Sequence, residues 1–227
     1  MIATTPRYGI AAVVFDMDGT LLDTEPLYRE AIFAACAELG YEMTEALHAA
    51  QVGVPNDMAR ALFLAEFGTA FPFDRYHRRM HENMGDIEAE RGISHKRGAR
   101  DLLLLLRARG IPAAVVTSTA RPMALKRLDR AGLIDLFEVV IGRDDTVLGK
   151  PHPEPFLTAA ERLGVAPGAC LALEDSPNGI RAASGAGMIA VMVPDLIAPT
   201  PEVAAMCSAI HPDLDAVRLA YFADAAA

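Results

Sequence analysis

The chain has 227 residues, 52% of them hydrophobic, and a formal net charge of -9. That length and apolar share are enough for a sizeable buried core, held in one large domain or in a domain with an insert. The acidic balance argues against nucleic acid and anionic membrane surfaces as partners, because both favour basic patches.

Three cysteines at wide spacing, Cys36, Cys170 and Cys207, form no C-x-x-C pair. They indicate neither a disulfide framework nor a zinc cluster, which fits a reducing cytoplasm. The opening MIATTPRYGI lacks the basic-then-apolar order of a signal peptide, and LLLLL at 102–106 is too short to span a bilayer.

In chain order, the first signal is IAAVVF at 10–15, the continuous apolar run of a parallel strand buried on both faces. It ends against DMDGT, which puts Asp16 and Asp18 at the strand's carboxyl end. Residues 24–96 then read as helices with no strand among them: EPLYREAIFAACAELG at 25–40, NDMARALFLAEFG at 56–68 and FDRYHRRMHENMGDIEAERG at 73–92. Thr24 is expected to cap the first, with Pro26 tolerated in its opening turn. An insert leaving a strand's carboxyl end is expected to act as a lid over the crevice where open α/β sheets bind ligands. His77 and His81, four apart on one helix, have no evident third ligand and read as part of an exposed face.

Beyond the insert the pattern alternates. Helix ARDLLLLLRARG (99–110) precedes strand PAAVVT (112–117), and helix RPMALKRLDRAG (121–132) precedes strand FEVVIG (137–142). Helix PEPFLTAAERLG (153–164) precedes strand CLALED (170–175), and a helix opening at Ser176 and Pro177 precedes strand MIAVMV (188–193). Gly110, Gly132 and Gly164 close the three helices, as glycine commonly does. Strand and helix in alternation predict an α/β fold, a Rossmann-like doubly wound parallel sheet formed by 1–23 and 97–227, with an inserted all-helical cap at 24–96. The tail YFADAAA is expected to fray.

The chemistry-bearing residues fall at strand ends. Asp16 and Asp18 at one end and Glu174 and Asp175 at another converge on one edge of such a sheet. Two carboxylates about 4 Å apart repel by about 4 kcal/mol at an effective dielectric near 20, so the cluster calls for a cation. Oxygen-rich, histidine-free ligation suits Mg²⁺, with Asp16, Asp18, Glu174 and Asp175 as candidate ligands. Thr117 and Ser118, in VVTSTA, offer a hydroxyl and backbone N–H groups to phosphate oxygens, and Lys150, in LGKPHPEPF, adds a positive charge at the same edge. Taken singly, Thr117 is an ordinary strand-end hydroxyl, Lys150 a solvated loop lysine and Ser176 a helix cap. Asp144 and Asp145 read as solvated loop acids.

The ordered set DMDGT, a threonine ending the second strand, GKPHPEPF and LEDSPNG resembles the haloacid dehalogenase superfamily, in particular its phosphatases and phosphomutases with a helical cap. The resemblance spans about residues 10–195. It implies that Asp16 is the nucleophile that becomes an aspartyl-phosphate, and that Asp18 is the general acid and base whose backbone carbonyl also reaches the metal. It further implies that Asp175 is the principal distal Mg²⁺ ligand, that Glu174 is its outer or direct partner, and that Thr117 and Lys150 bind phosphate. The dehalogenase branch typically has a non-acid where this chain has Asp18, so phosphoryl transfer is preferred. Mutases of the β-phosphoglucomutase type typically carry a cap histidine where Tyr28 stands and an arginine where Asn56 stands. Hydrolysis of a small phosphorylated metabolite, such as a sugar phosphate, is therefore expected ahead of mutase chemistry. A monomer or small homo-oligomer is expected.

Overall fold

The computed structural model describes residues 9–52, 54 and 56–223, residue 56 by its backbone alone. The expectation for the first residues of the amino terminus lies outside this range, as does the end of the tail. In chain order the elements are strand β1 (Ala12–Phe15), then helices α1 (Glu25–Glu38), α2 (Glu45–Gln51), α3 (Asn56–Phe67), α4 (Phe73–Arg91) and α5 (Ala99–Ala108). There follow β2 (Ala113–Val116), α6 (Arg121–Arg130), β3 (Val139–Ile141), α7 (Glu154–Leu163) and β4 (Cys170–Glu174). The chain ends through α8 (Pro177–Gly185), β5 (Ile189–Met192), α9 (Pro201–Met206), β6 (Ala209–Ile210) and α10 (Leu214–Phe222). It divides into two compact units, Met1–Asp23 with Ser94–Ala227, and Thr24–Ile93, so Ser94, His95 and Lys96 fall with the first.

In the first unit, six strands form one parallel sheet in the order β3-β2-β1-β4-β5-β6. β1 is central, and its Phe15 lies opposite Val115 of β2 and Leu173 of β4. Every residue of β1, β2 and β4 is buried, which is why these strands read as unbroken apolar runs rather than alternating ones. The chain builds β2 and β3 on one side of β1, then crosses back to build β4, β5 and β6 on the other. The reversal between β1 and β4 is the switch point at which doubly wound sheets open a crevice at the strands' carboxyl ends.

Successive side chains point to opposite faces of a strand. One face carries Ala12, Val14, Ala114, Val116, Ala172 and Met192, packed with Phe156 and Ala159 of α7, Ile180 and Ala183 of α8, and Val203 of α9. On α5, Leu102, Leu103 and Leu106 are buried while Asp101 and Arg107 are exposed, so the leucine run is the inner stripe of an amphipathic helix. No helix among the described residues is long and apolar enough to cross a membrane. The expectation of a frayed tail is corrected for its first two residues: Tyr221 and Phe222 end α10 and are buried, on the same helical face as Leu214 and Val217. β6, only two residues long, is too short to leave a periodic trace in the sequence.

The second unit is all helical. α2 was not among the expected helices; its signal is Thr44, whose side chain accepts from the Leu47 N–H at 3.1 Å. Thr24 occupies the cap position of α1 without a side-chain capping bond. The core gathers around Phe63, fully buried, with ring centroids of Tyr76, Phe71 and Phe73 at 4.5, 5.3 and 5.6 Å. His77 and His81 stack edge to face at 4.5 Å and belong to no group of three metal-ligating side chains among the described residues. Truncating Phe63 would leave a cavity bounded by three rings. The Phe63→Ala variant is expected to lose about 3–5 kcal/mol in denaturant unfolding, read on the helical unit's transition.

Candidate active site

Strand register sets the site. Phe15, Val115 and Leu173 are level across the sheet. The next residues, Asp16, Val116 and Glu174, are therefore level too, and Thr117 and Asp175 lie one step beyond.

Lys150 enters this edge from the loop before α7. Its Nζ donates to Asp16 Oδ1 at 2.6 Å, to the Val116 carbonyl at 2.8 Å and to Glu174 Oε1. An ammonium has three donors, and all three are used. Burial works against its charge, but Asp16 and Glu174 outweigh that effect and hold its proton more tightly than an ordinary lysine does.

Glu174 is held from the other side as well. Its Oε2 accepts from the Ser176 N–H at 3.1 Å and the Ser176 hydroxyl at 2.9 Å, while Ser176 Oγ caps α8 by accepting from Gly179 N–H at 3.0 Å. A Cβ on Gly179 would sit 1.7 Å from the carboxyl carbon of Glu174, so this first turn has no room for a side chain. Asp175 meets the DMDGT turn: Thr20 Oγ1 lies 3.4 Å from its Oδ1, and a Cβ on Gly19, at φ +86, would fall 2.5 Å from its Oδ2. Glycine is required at residue 19 both by that backbone angle and by that approach.

Oxygens of Asp16, Glu174 and Asp175 lie within 4.8 Å of one another. Burial, opposed by Lys150 and reinforced by Glu174, pushes the Asp16 carboxyl up to about 7. Burial and the neighbouring charges of Asp16 and Glu174 push Asp175 up to about 9. One lysine does not balance three acids, and the raised proton affinity of Asp16 and Asp175 expresses that imbalance. A hard divalent cation suits an all-oxygen set of this kind, so the residues fit Mg²⁺.

Asp18 stands apart from that cluster by its side chain. Its Oδ1 accepts from Arg127 at 2.9 Å and its Oδ2 from the Thr119 hydroxyl at 2.8 Å. The Thr119 N–H in turn donates to Thr117 Oγ1 at 3.1 Å, which ties Asp18 to the end of β2. Thr117 is buried and Ser118 is exposed at the same strand end. Asp144 and Asp145 have structural work instead: Asp144 accepts from the Arg121 N–H at 2.6 Å and Asp145 from the Gly142 N–H at 2.8 Å.

Thr119 and Arg127 were missed from the sequence. Arg127 had a readable signal, because it lies between Ala124, Leu128 and Ala131 on the buried stripe of α6, where a cation needs a partner. A cleft of about 310 Å³ adjoins Thr20 and is bounded by Asp23, Lys96, Asp195 and Asp213. Lys96 pairs there with Asp195 Oδ1 at 2.7 Å and Asp23 at 3.4 Å, and Asp213 caps α10, while Asp195 Oδ2 is buried without a hydrogen-bond partner.

The family profile of haloacid dehalogenase-like hydrolases matches residues 10–187. The chain is 36% identical over 177 residues to the phosphorylated carbohydrates phosphatase of Thermotoga maritima, covering 78% of this chain and 82% of that protein. It is 31% identical over 194 residues to hexitol phosphatase B of Escherichia coli, covering 84% and 86%. Among solved structures it is similar to CbbY from Rhodobacter sphaeroides in complex with phosphate, with a TM-score of 0.76, 31% identity and coverage of 90% and 95%.

Two substitutions test the geometry. Lys150→Met strands two buried acids and is expected to cost about 3–5 kcal/mol in denaturant unfolding at neutral pH. The folded Asp16 carboxyl holds its proton to about 7 against 3.8 for the ordinary group, so the native state binds more protons across that window and its stability falls as pH rises. Without the ammonium that opposes its burial, Asp16 in Lys150→Met should hold its proton to still higher pH, so the variant loses more stability than wild type as pH rises and its deficit should be smaller at pH 5 than at pH 8. Gly179→Ala, which forces Glu174 off its position, should lower stability by about 1–3 kcal/mol, read as a shifted melting temperature.

Proposed function

The chain belongs to the haloacid dehalogenase-like hydrolases, and from that premise we propose that it is a Mg²⁺-dependent phosphatase that cleaves a small phosphomonoester, a sugar phosphate or a similar metabolite, through an aspartyl-phosphate. The observation that carries this reading is the Lys150 ammonium bonded at once to Asp16 and Glu174, which leaves Asp16 Oδ2 as the oxygen not taken by lysine. The names of the relatives, phosphatases of carbohydrate and hexitol phosphates, favour the substrate class.

In this scheme Asp16 and Asp175, with the Asp18 backbone carbonyl, would hold Mg²⁺, and Glu174 would support them while anchoring Lys150. When bound, the ion neutralises the acid cluster and phosphate oxygens, which favours the ionised Asp16 that attack requires. The phosphate is oriented by the Thr117 hydroxyl, by Ser118 and by the Lys150 charge. An Asp16 carboxylate oxygen attacks phosphorus as the bond to the substrate oxygen breaks, and Asp18 gives that oxygen a proton. Asp18 then takes a proton from water as the water oxygen attacks the aspartyl-phosphate, releasing inorganic phosphate and restoring Asp16.

Three free thiols, two of them buried, support a reducing cytoplasmic setting. The net charge of -9 supports a small-molecule partner rather than nucleic acid or membrane, and a monomer or small homo-oligomer is the proposed assembly.

Phosphate release from p-nitrophenyl phosphate and from a panel of hexose and polyol phosphates tests the reading. Activity with Mg²⁺ is expected, with a loss of roughly a thousandfold or more in Asp16→Asn, whose fold is checked by melting temperature. If a bisphosphate primer makes the protein interconvert hexose 1- and 6-phosphates faster than it releases phosphate, the mutase reading replaces hydrolysis. Chelation should abolish turnover and Mg²⁺ restore it. Because protons held by Asp16 and Asp175 up to about 7 and 9 compete with the ion, added Mg²⁺ should raise the melting temperature more at pH 8 than at pH 6.

A further inference from the structure

Arg127 is the largest fully buried side chain among the described residues, 2% exposed, and it comes from the middle of the apolar stripe of α6. A guanidinium in such a place is poorly explained by core stability. Removing one from water costs several kcal/mol, and apolar residues of similar volume often serve a core as well or better. Its terminal nitrogen reaches Asp18 Oδ1 at 2.9 Å, across 109 residues of sequence. The other oxygen of the same carboxylate takes the Thr119 hydroxyl at 2.8 Å. The Thr119 N–H is itself fixed on Thr117 Oγ1 at 3.1 Å, so the carboxylate is gripped between α6 and the end of β2.

The pair is asymmetric. The Arg127 side chain is 2% exposed, whereas that of Asp18 is 21% exposed. The acid therefore faces the site edge while its holder stays behind it in the core. A carboxylate on a freely rotating side chain would meet the reacting oxygen in many orientations; one held through both oxygens by donors on different elements meets it in few. Positioning of this kind is a large part of what makes proton transfer effective.

We propose that Arg127 is a positioning residue for the Asp18 proton transfer, acting with Thr119 to fix the plane of the Asp18 carboxylate. This rests on the reading of Asp18 as general acid and base. In that role its contribution depends on the leaving group. A sugar or polyol alkoxide needs a proton to depart, whereas p-nitrophenolate departs without one. Because kcat/KM reports steps only as far as formation of the aspartyl-phosphate, it isolates the acid step from the later attack of water.

The experiment compares kcat/KM for the best hexose or polyol phosphate with that for p-nitrophenyl phosphate, in wild type, Arg127→Met, Arg127→Lys and Thr119→Val, each checked by melting temperature. Arg127→Met is expected to lose roughly tenfold to a hundredfold more on the alkyl phosphate than on p-nitrophenyl phosphate. Arg127→Lys should recover part of the difference, and Thr119→Val should show the same split more weakly. Should Arg127→Met fail to fold, Arg127→Lys and Thr119→Val carry the comparison. Equal losses on both substrates, or no loss on either, would overturn the positioning role. A wild type inactive on every phosphomonoester, or an Asp16→Asn variant with full activity, would instead overturn the phosphatase reading itself.

Discussion

A single buried ammonium group organises the carboxyl edge of the sheet. Lys150 Nζ bonds to Asp16 of the β1 end, to the Val116 carbonyl of β2 and to Glu174 of β4, the three strands at the centre of the six. Each of these acceptors would be costly to bury alone, and each is satisfied because the others bring the lysine there. Glu174 then passes the constraint to Ser176 and the start of α8, and Asp175 passes it to the Gly19 turn. The precision of the site is thus inherited from strand register rather than from loops.

That dependence explains where the fold permits no change in size. Central strands buried on both faces tolerate alanine and valine against α7, α8 and α9, whose small residues bring the layers close. At the polar edge the tight points are glycines: Gly179 leaves space for a carboxylate and Gly19 for the approach of Asp175. The three acids there exceed the charge that one lysine can balance, and the raised proton affinities of Asp16 and Asp175 express the same imbalance that a divalent ion would relieve. Asp18 is arranged on a different principle, with neutral and cationic donors on its two oxygens and its side chain outside the group of three acid oxygens.

Much of the fold was legible in the residues. Five apolar runs became β1 to β5, and the acids, threonine and lysine that end or follow them sit at the strand ends or enter beside them, because a buried parallel strand announces itself locally and its polar terminus is the first residue beyond the run. β6 was not legible because two residues carry no period, nor α2, whose seven residues fall between stronger helical signals. The tail was misread at Tyr221 and Phe222, where a short helical stripe matters more than proximity to the terminus. In the site, Thr119 escaped notice because a threonine in a turn is commonplace until its partner is known, whereas Arg127 carried a signal, a cation on the apolar stripe of α6, that names no partner.

The sequence by itself determined the order of strands and helices, the α/β class and the chemical character of the strand ends, since each depends on residues within a few positions of one another. The motifs also implied that Asp16, Glu174, Asp175 and Lys150 share one edge, but tertiary structure alone decided the strand order and which atoms there meet. Lys150 lies 134 residues from Asp16, and Arg127 lies 109 from Asp18. A pattern of local hydrophobicity holds no information about contacts over such distances. They follow from the crossover at β1, which places β4 beside it, and from the packing of α6, which carries a buried guanidinium to an acid in the turn after β1.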